Sequence, residues 1–205
     1  MKMCNNSKSN TYGRIAELLS IILDPRVLIA PIAIAVSFHN SDNLIVSVGW
    51  VLLLLLFTVF PIIGLIAIQT KRKIYTDNQV SNASQRNIIY LIGICGIVVD
   101  LSIMVIYSGP KPLIAMVVAM LFSGFVAAIL NRRIKVSVHT GAVAGAVVSL
   151  ISSWGSLFLP LLIFVPLVGW TRITLHRHTI SEVIIGGIIG LTITASAFYF
   201  LNRFY

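Results

Sequence analysis

Acidic side chains are almost missing from this chain: Glu17, Asp24, Asp42, Asp77, Asp100 and Glu182 are all it has. They are scattered, with no pairing that would cage two metal ions, so no metal site is expected; no cofactor is expected either. Charge of either sign is scarce, at 10% of residues against 58% hydrophobic, which excludes an ordinary soluble domain. Long polar stretches are missing too, and with them any soluble module able to present a basic face to nucleic acid. Cysteine is limited to Cys4 in the polar start and Cys95 inside an apolar run, which leaves no disulfide framework. The opening MKMCNNSKSNTYGRIAELLS lacks the compact apolar stretch and small-residue cleavage site of a signal peptide, and is expected to be retained.

What the chain does have is apolar runs of membrane length. A bilayer core of about 30 Å takes about 20 apolar residues per helix. The runs predict helices over 15–38, 44–69, 87–108, 112–130, 139–154, 157–170 and 182–201. The expected fold class is all-α: a polytopic membrane helix bundle of six to seven transmembrane helices, forming one integral membrane domain over residues 1–205 with a polar segment at 1–14. Asp24-Pro25-Arg26 interrupts the first run, so residues 11–23 either lie along the interface as an amphipathic helix or belong to a crossing. If all seven runs cross, the N-terminus, the 70–86 loop, the 131–138 junction and the 171–181 junction share one face.

Lys2, Lys8, Arg14, Lys71, Arg72, Lys73, Arg86, Arg132, Arg133, Lys135, Arg172 and Arg177 fall on that face, against Lys111 and Arg203 on the other. By the positive-inside rule the face is cytoplasmic, in a cell membrane. The majority persists when Arg86, Lys135 and Arg172 are set aside as ligands. The net charge of +9 therefore reads first as topology and second as attraction to anionic head groups.

The junctions carry the polar chemistry. In TRITLHRHTISE, residues 171–182, His178 and Glu182 are four apart, on one face of a helix starting near Thr179, where the carboxylate can orient the imidazole. Arg172 stands six residues before His178, and a helix N-terminus there offers N–H groups to an anion. NRRIKVSVHTGAVAG, residues 131–145, puts Lys135, Ser137 and His139 at the mouth of a helix that begins with Gly141, Ala142, Ala144, Gly145 and Ala146. Gly186 and Gly190 make a GxxxG on the last helix, so the fifth and seventh runs can pack closely and bring His139 near His178. Arg86 closes the third junction. Each junction alone also reads as flanking positive charge, with His176 and Arg177 as interfacial residues and the small-residue stripe as packing.

The order of these residues resembles the type 2 phosphatidic acid phosphatase superfamily, membrane lipid phosphatases that share an active site with vanadium haloperoxidases. Its pattern is K-x6-R-P, then P-S-G-H, then S-R-x5-H-x3-D. Here the third motif is Thr171-Arg172, five residues, His178, three residues, Glu182; the second is Val136-Ser137-Val138-His139; the first keeps Arg86, with Gln79 at the lysine position and Asn87 at the proline. The likeness spans about residues 70–190, which it identifies as a phosphatase-like core of helices. It implies that His178 attacks phosphorus to form a phosphohistidine, that Glu182 holds its tautomer, and that His139 protonates the leaving group and later activates water. Arg172, Arg86, Lys135 and Ser137 would then bind the phosphate oxygens without a metal. The missing lysine leaves Lys71 or Lys73 as substitutes.

The function expected is metal-independent hydrolysis of a lipid phosphate monoester or an isoprenoid diphosphate, the bilayer supplying the substrate and nucleic acid playing no part. Transfer to an acceptor other than water is the alternative within that class. The competing class is a small transporter or non-catalytic membrane partner. It would centre on Asp100, whose charge inside an apolar run is costly unless the group is protonated and hydrogen-bonded to a neighbouring helix. No internal repeat of the kind transporters carry is apparent. His39, on the opposite face, is assigned nothing.

Overall fold

The computed structural model describes residues 6–41, 43–77, 80 and 82–204; Lys2, Cys4, Asp42 and Gln79 lie outside them. The described residues form helices and contain no strand: α1 (Asn6–Ile22), α2 (Pro25–Ser41), α3 (Leu44–Leu54), α4 (Phe60–Lys71), α5 (Asn87–Ile106), α6 (Lys111–Leu130), α7 (Val138–Trp154), α8 (Phe164–Thr174) and α9 (Ile180–Phe204). A π turn at Leu55–Val59 joins α3 to α4, and 3-10 turns precede α5 (Ala83–Arg86) and α8 (Ser156–Ile163).

Among the described residues, five continuous stretches are long and apolar enough to cross a membrane: Leu44–Lys71, Ala83–Ile106, Lys111–Leu130, Ser156–Thr174 and Ile180–Arg203. The pair Thr11–Ile22 and Pro25–His39, bent by 43°, makes up to six, and Val138–Trp154 is apolar but shorter. The chain is an all-α polytopic bundle. Large apolar side chains such as Ile45, Ile106, Phe122 and Leu157 stand exposed, as the lipid-facing surface of such a bundle requires.

The sequence sets each break. Asp24 accepts the N–H of Arg26 at 2.9 Å and Pro25 follows it as the first helical residue, so Asp24 ends one helix and caps the next. Asn43 caps α3 in the same way, accepting from Ile45 and Val46. Pro61 has no N–H for the carbonyl of Phe57, and the helix widens into the π turn just before it. Gly96 of α5 faces that bulge; a Cβ there would overlap the carbonyl of Phe57. Thr58 in the bulge donates to Asp100 at 2.6 Å, and Asp100 is fully buried. Its carboxyl therefore accepts a bond from the neighbouring α3–α4 stretch.

The main apolar core gathers Ala33 and Val36 of α2, Leu54 of α3, Met104 of α5 and Leu113 and Val117 of α6. A second contact, between α7 and α9, is made by backbone. A Cβ at Gly186 would overlap the carbonyl oxygen of Ser137, one at Gly190 that of Gly141, and one at Gly141 would stand 3.0 Å from the carbonyl of Gly186. The close packing expected from the small residues of these two helices is therefore present, and small residues are what membrane helices use for it.

Gly186→Ala is expected to destabilise the protein by about 1–3 kcal/mol through overpacking. Gly64→Ala, at an α4 position with nothing within 4 Å, should be neutral or favourable by up to about 1 kcal/mol from helix propensity. Thermal unfolding of both variants in detergent checks the contrast, and equal midpoints would refute the backbone contact.

Candidate functional site

Two local motifs fix the 171–181 junction. α8 closes in a Schellman turn: the N–H of Arg177 donates to the carbonyl of Arg172 at 3.0 Å and that of His176 to Ile173 at 2.9 Å. His176 takes the left-handed position at φ 52°. A capping box then starts α9, with Thr179 N–H donating to Glu182 Oε2 at 3.1 Å and Glu182 N–H to Thr179 Oγ1 at 3.3 Å. The five residues between Arg172 and His178 are the length of that turn, and the three between His178 and Glu182 belong to the box.

His178 is held from one side. Its Nδ1 lies 2.9 Å from Glu182 Oε2 and 3.1 Å from the carbonyl of Lys135. Both partners are acceptors, so Nδ1 carries the proton and Nε2 of the neutral ring carries the lone pair. Burial, followed by the positive charges of Arg86, Lys135 and Arg172, pushes His178 down to about 3, which keeps the ring neutral at physiological pH.

The 131–138 junction meets the 171–181 junction by backbone and side chain. Ser137 N–H donates to the carbonyl of Glu182 at 3.1 Å, and Lys135 Nζ donates to that of Arg177 at 2.6 Å. Burial and then the nearby Arg86 lower the Lys135 ammonium below the ordinary lysine value. The Ser137 hydroxyl is turned inward as the N-cap of α7, 2.9 Å from Thr140 Oγ1. The remaining junction joins through Arg86, whose Nε donates to the carbonyl of Val80 at 2.9 Å and whose Nη1 donates to that of Val136 at 3.1 Å. Asn131 reinforces this from α6, donating to the carbonyl of Ala83 at 2.8 Å and to Asn87 Oδ1 at 3.1 Å.

Arg86, Lys135, Ser137, His139, Arg172, His178 and Glu182 thus fall into one cluster at one end of the bundle. Lys71 and Lys73, offered as substitutes for a missing lysine, stand exposed at and beyond the end of α4. His176 is exposed, and His39 packs edge-on against Trp154 at 4.9 Å.

The elbow between α1 and α2 also enters the cluster, and the motifs give no hint of it. Asp24 Oδ2 lies 3.4 Å from His139 Nε2, and Ser20 Oγ accepts from Arg172 Nη1 at 3.0 Å. Arg26 grips Asp24, Nε to Oδ1 at 2.9 Å and Nη2 to Oδ2 at 2.6 Å. The available signal was a carboxylate inside an apolar run, which asks for a partner.

Beneath the cluster lies a cavity of about 380 Å³. Asp24, Arg26, Arg86 and His139 line its polar part, and Ile62, Ile97, Met116 and Met120 are among its apolar walls. Neither a family model, nor a curated protein, nor a solved structure matches the chain, so the likeness to the phosphatase superfamily rests on the residues named above.

His178 also makes stability depend on pH. Its folded value is about 3 against an ordinary 6.5, so the unfolded chain takes up the proton first as pH falls. Stability is present above 6.5 and declines from there toward 3, by about 1.4 kcal/mol per unit. The wild-type unfolding midpoint in detergent should fall more steeply between pH 6.5 and 4 than that of His178→Asn, and parallel curves would contradict the buried neutral ring.

Proposed function

We propose that the chain is a metal-independent membrane phosphatase acting on a lipid phosphate monoester or an isoprenoid diphosphate through a phosphohistidine. The observation that carries this reading is His178, bound through Nδ1 to Glu182 and set among Arg86, Lys135 and Arg172; of this cluster Arg86, Ser137 and His139 border an apolar cavity. A neutral imidazole with its lone pair on Nε2 is a nucleophile, and surrounding cations are what a transferring phosphoryl group needs.

In the first step His178 Nε2 bonds to phosphorus as the ester or anhydride P–O bond breaks. The leaving oxygen takes a proton from His139. In the second step neutral His139 removes a proton from water, the oxygen attacks phosphorus, and the P–N bond breaks to release inorganic phosphate and restore His178. Arg86, Lys135 and Arg172 hold the equatorial oxygens throughout, while the Ser137 hydroxyl holds the mouth of α7 and meets the substrate only by leaving its cap. The cavity's size falls within the range of small-molecule sites, and its apolar walls suit a hydrocarbon chain. Replacing water by an acceptor hydroxyl would turn the same steps into phosphotransfer. A transporter reading draws on the bent first pair and on buried Asp100.

Phosphate release in detergent with excess chelator, from phosphatidic acid, phosphatidylglycerol phosphate and a long isoprenyl diphosphate, tests the proposal. Wild type should release phosphate from at least one, His178→Ala should fall to background, and His139→Ala should lose about 10²–10⁴-fold. Release indifferent to His178, or none from any substrate, would sink the reading and turn attention to transport.

The reading includes a cytoplasmic position for the cluster, supported by the basic residues on its face. In a variant lacking Cys4 and Cys95, a cysteine placed at Arg133, which is exposed, should resist an impermeant thiol reagent in intact cells and react once they are opened. Labelling in intact cells would invert the topology.

A further inference from the structure

We propose that Asp24 is a positioning residue for His139, so that the elbow between α1 and α2 is part of the reaction site as well as a bend in the first pair of helices. The inference rests on the reading of His139 as acid and base.

Capping explains only half of Asp24. The cap needs one oxygen: Oδ1 accepts the N–H of Arg26, and serine or asparagine would serve as well. The second oxygen, Oδ2, is the one within 3.4 Å of His139 Nε2, a residue 115 positions away on α7. Asp24 is 4% exposed, and a carboxylate so placed among apolar helices is costly unless its charge is used. Arg26 meets part of that cost through two guanidinium contacts. The other neighbour is His139.

The geometry assigns opposite nitrogens in the two imidazoles. Glu182 takes the proton of His178 Nδ1 and leaves Nε2 to react; Asp24 takes that of His139 Nε2 and leaves Nδ1 for the leaving group and then for water. A carboxylate on the ring also favours the imidazolium that must donate the proton. The ionisable groups acting on His139 are Asp24 and Arg26 from the elbow and Arg172 from α8, while Glu182 of α9 is engaged with His178. α6 and the 3-10 turn Ser156–Ile163, which also pack against α7, bring only Lys111 at the far end of α6. Asp24 is the one carboxylate bonded to the ring among the described residues. The same elbow places Ser20 on Arg172, so the two sides of the cluster are braced from one bend.

The test uses the full chain in detergent with Asp24→Asn, which removes the charge, and Asp24→Ser, which also removes the reach; both keep a strong N-cap. On the substrate that wild type hydrolyses fastest, kcat should fall by about tenfold or more in both. KM should stay within about twofold, because His139 acts on the leaving group and not on substrate affinity. The alkaline limb of the kcat profile should move to lower pH in Asp24→Asn, with the unfolding midpoint of both variants near that of wild type. An unchanged kcat and an unmoved limb would overturn the proposal, as would losses that follow a lowered midpoint. Nitrogen-15 spectra of labelled histidine give a readout that needs no turnover: wild-type His139 should show Nε2 protonated in the neutral ring, and Asp24→Ser should shift that balance. A shift in a wild type that releases no phosphate would separate failure of the phosphatase reading from failure of the contact, and identical ring signals in the two proteins would overturn the contact itself.

Discussion

The approach of α7 to α9 is the constraint on which the cluster depends. Two helices whose backbones touch at Gly141, Gly186 and Gly190 cannot slide or rotate against each other without collision. The bond from Ser137 N–H to the carbonyl of Glu182 then sets their beginnings at one level. As a result, two N-termini open side by side, one bearing His139 and the other preceded by His178, and both dipoles favour negative charge at the same place. In a membrane, where apolar burial does not drive helices together, such a contact stands on packing and polar bonds alone.

Around it, each cation serves as a brace. Arg86 ties the 3-10 turn before α5 to the 131–137 segment, Lys135 ties that segment to the turn after α8, and Arg172 ties α8 to α1. The side chains are thereby fixed before any ligand arrives, which is the condition under which dipoles and charges stabilise a transition state most. The arrangement also concentrates like charge, which adds to burial in lowering Lys135 and keeping His178 unprotonated. An anion among them would relieve that repulsion, so binding and folding are coupled through the same side chains.

Much of this was legible in the sequence because it is local. The spacing of Arg172, His178 and Glu182 encodes a Schellman turn followed by a capping box, and Thr179 with Glu182 could have been read as that box outright. The glycines of 141–145 and 186–190 likewise announced a close helix pair. The elbow was legible only as a bend: Asp24-Pro25 marks a cap, but that its second oxygen reaches His139 depends on how α2 crosses α7, which no short window of sequence contains. The Ser137 hydroxyl shows the reverse limit. Its place in a motif suggested a ligand, whereas its position before a helix makes it a cap. For Lys71 and Lys73 the surface was the simpler answer, as it is for most lysines.

The π turn ahead of Pro61 changes the phase of the helix it interrupts. One additional residue in a turn rotates everything beyond it by about 100° relative to a regular helix. Val51 and Leu54, before the turn, face the main core, while Thr58, Val59, Ile62 and Ile66, in and beyond it, form one wall of the cavity. A single stretch from Leu44 to Lys71 therefore presents two different faces to the interior at two depths. A proline's missing hydrogen thus bears on one wall of the space beneath the polar cluster, from a site that touches none of the reacting groups.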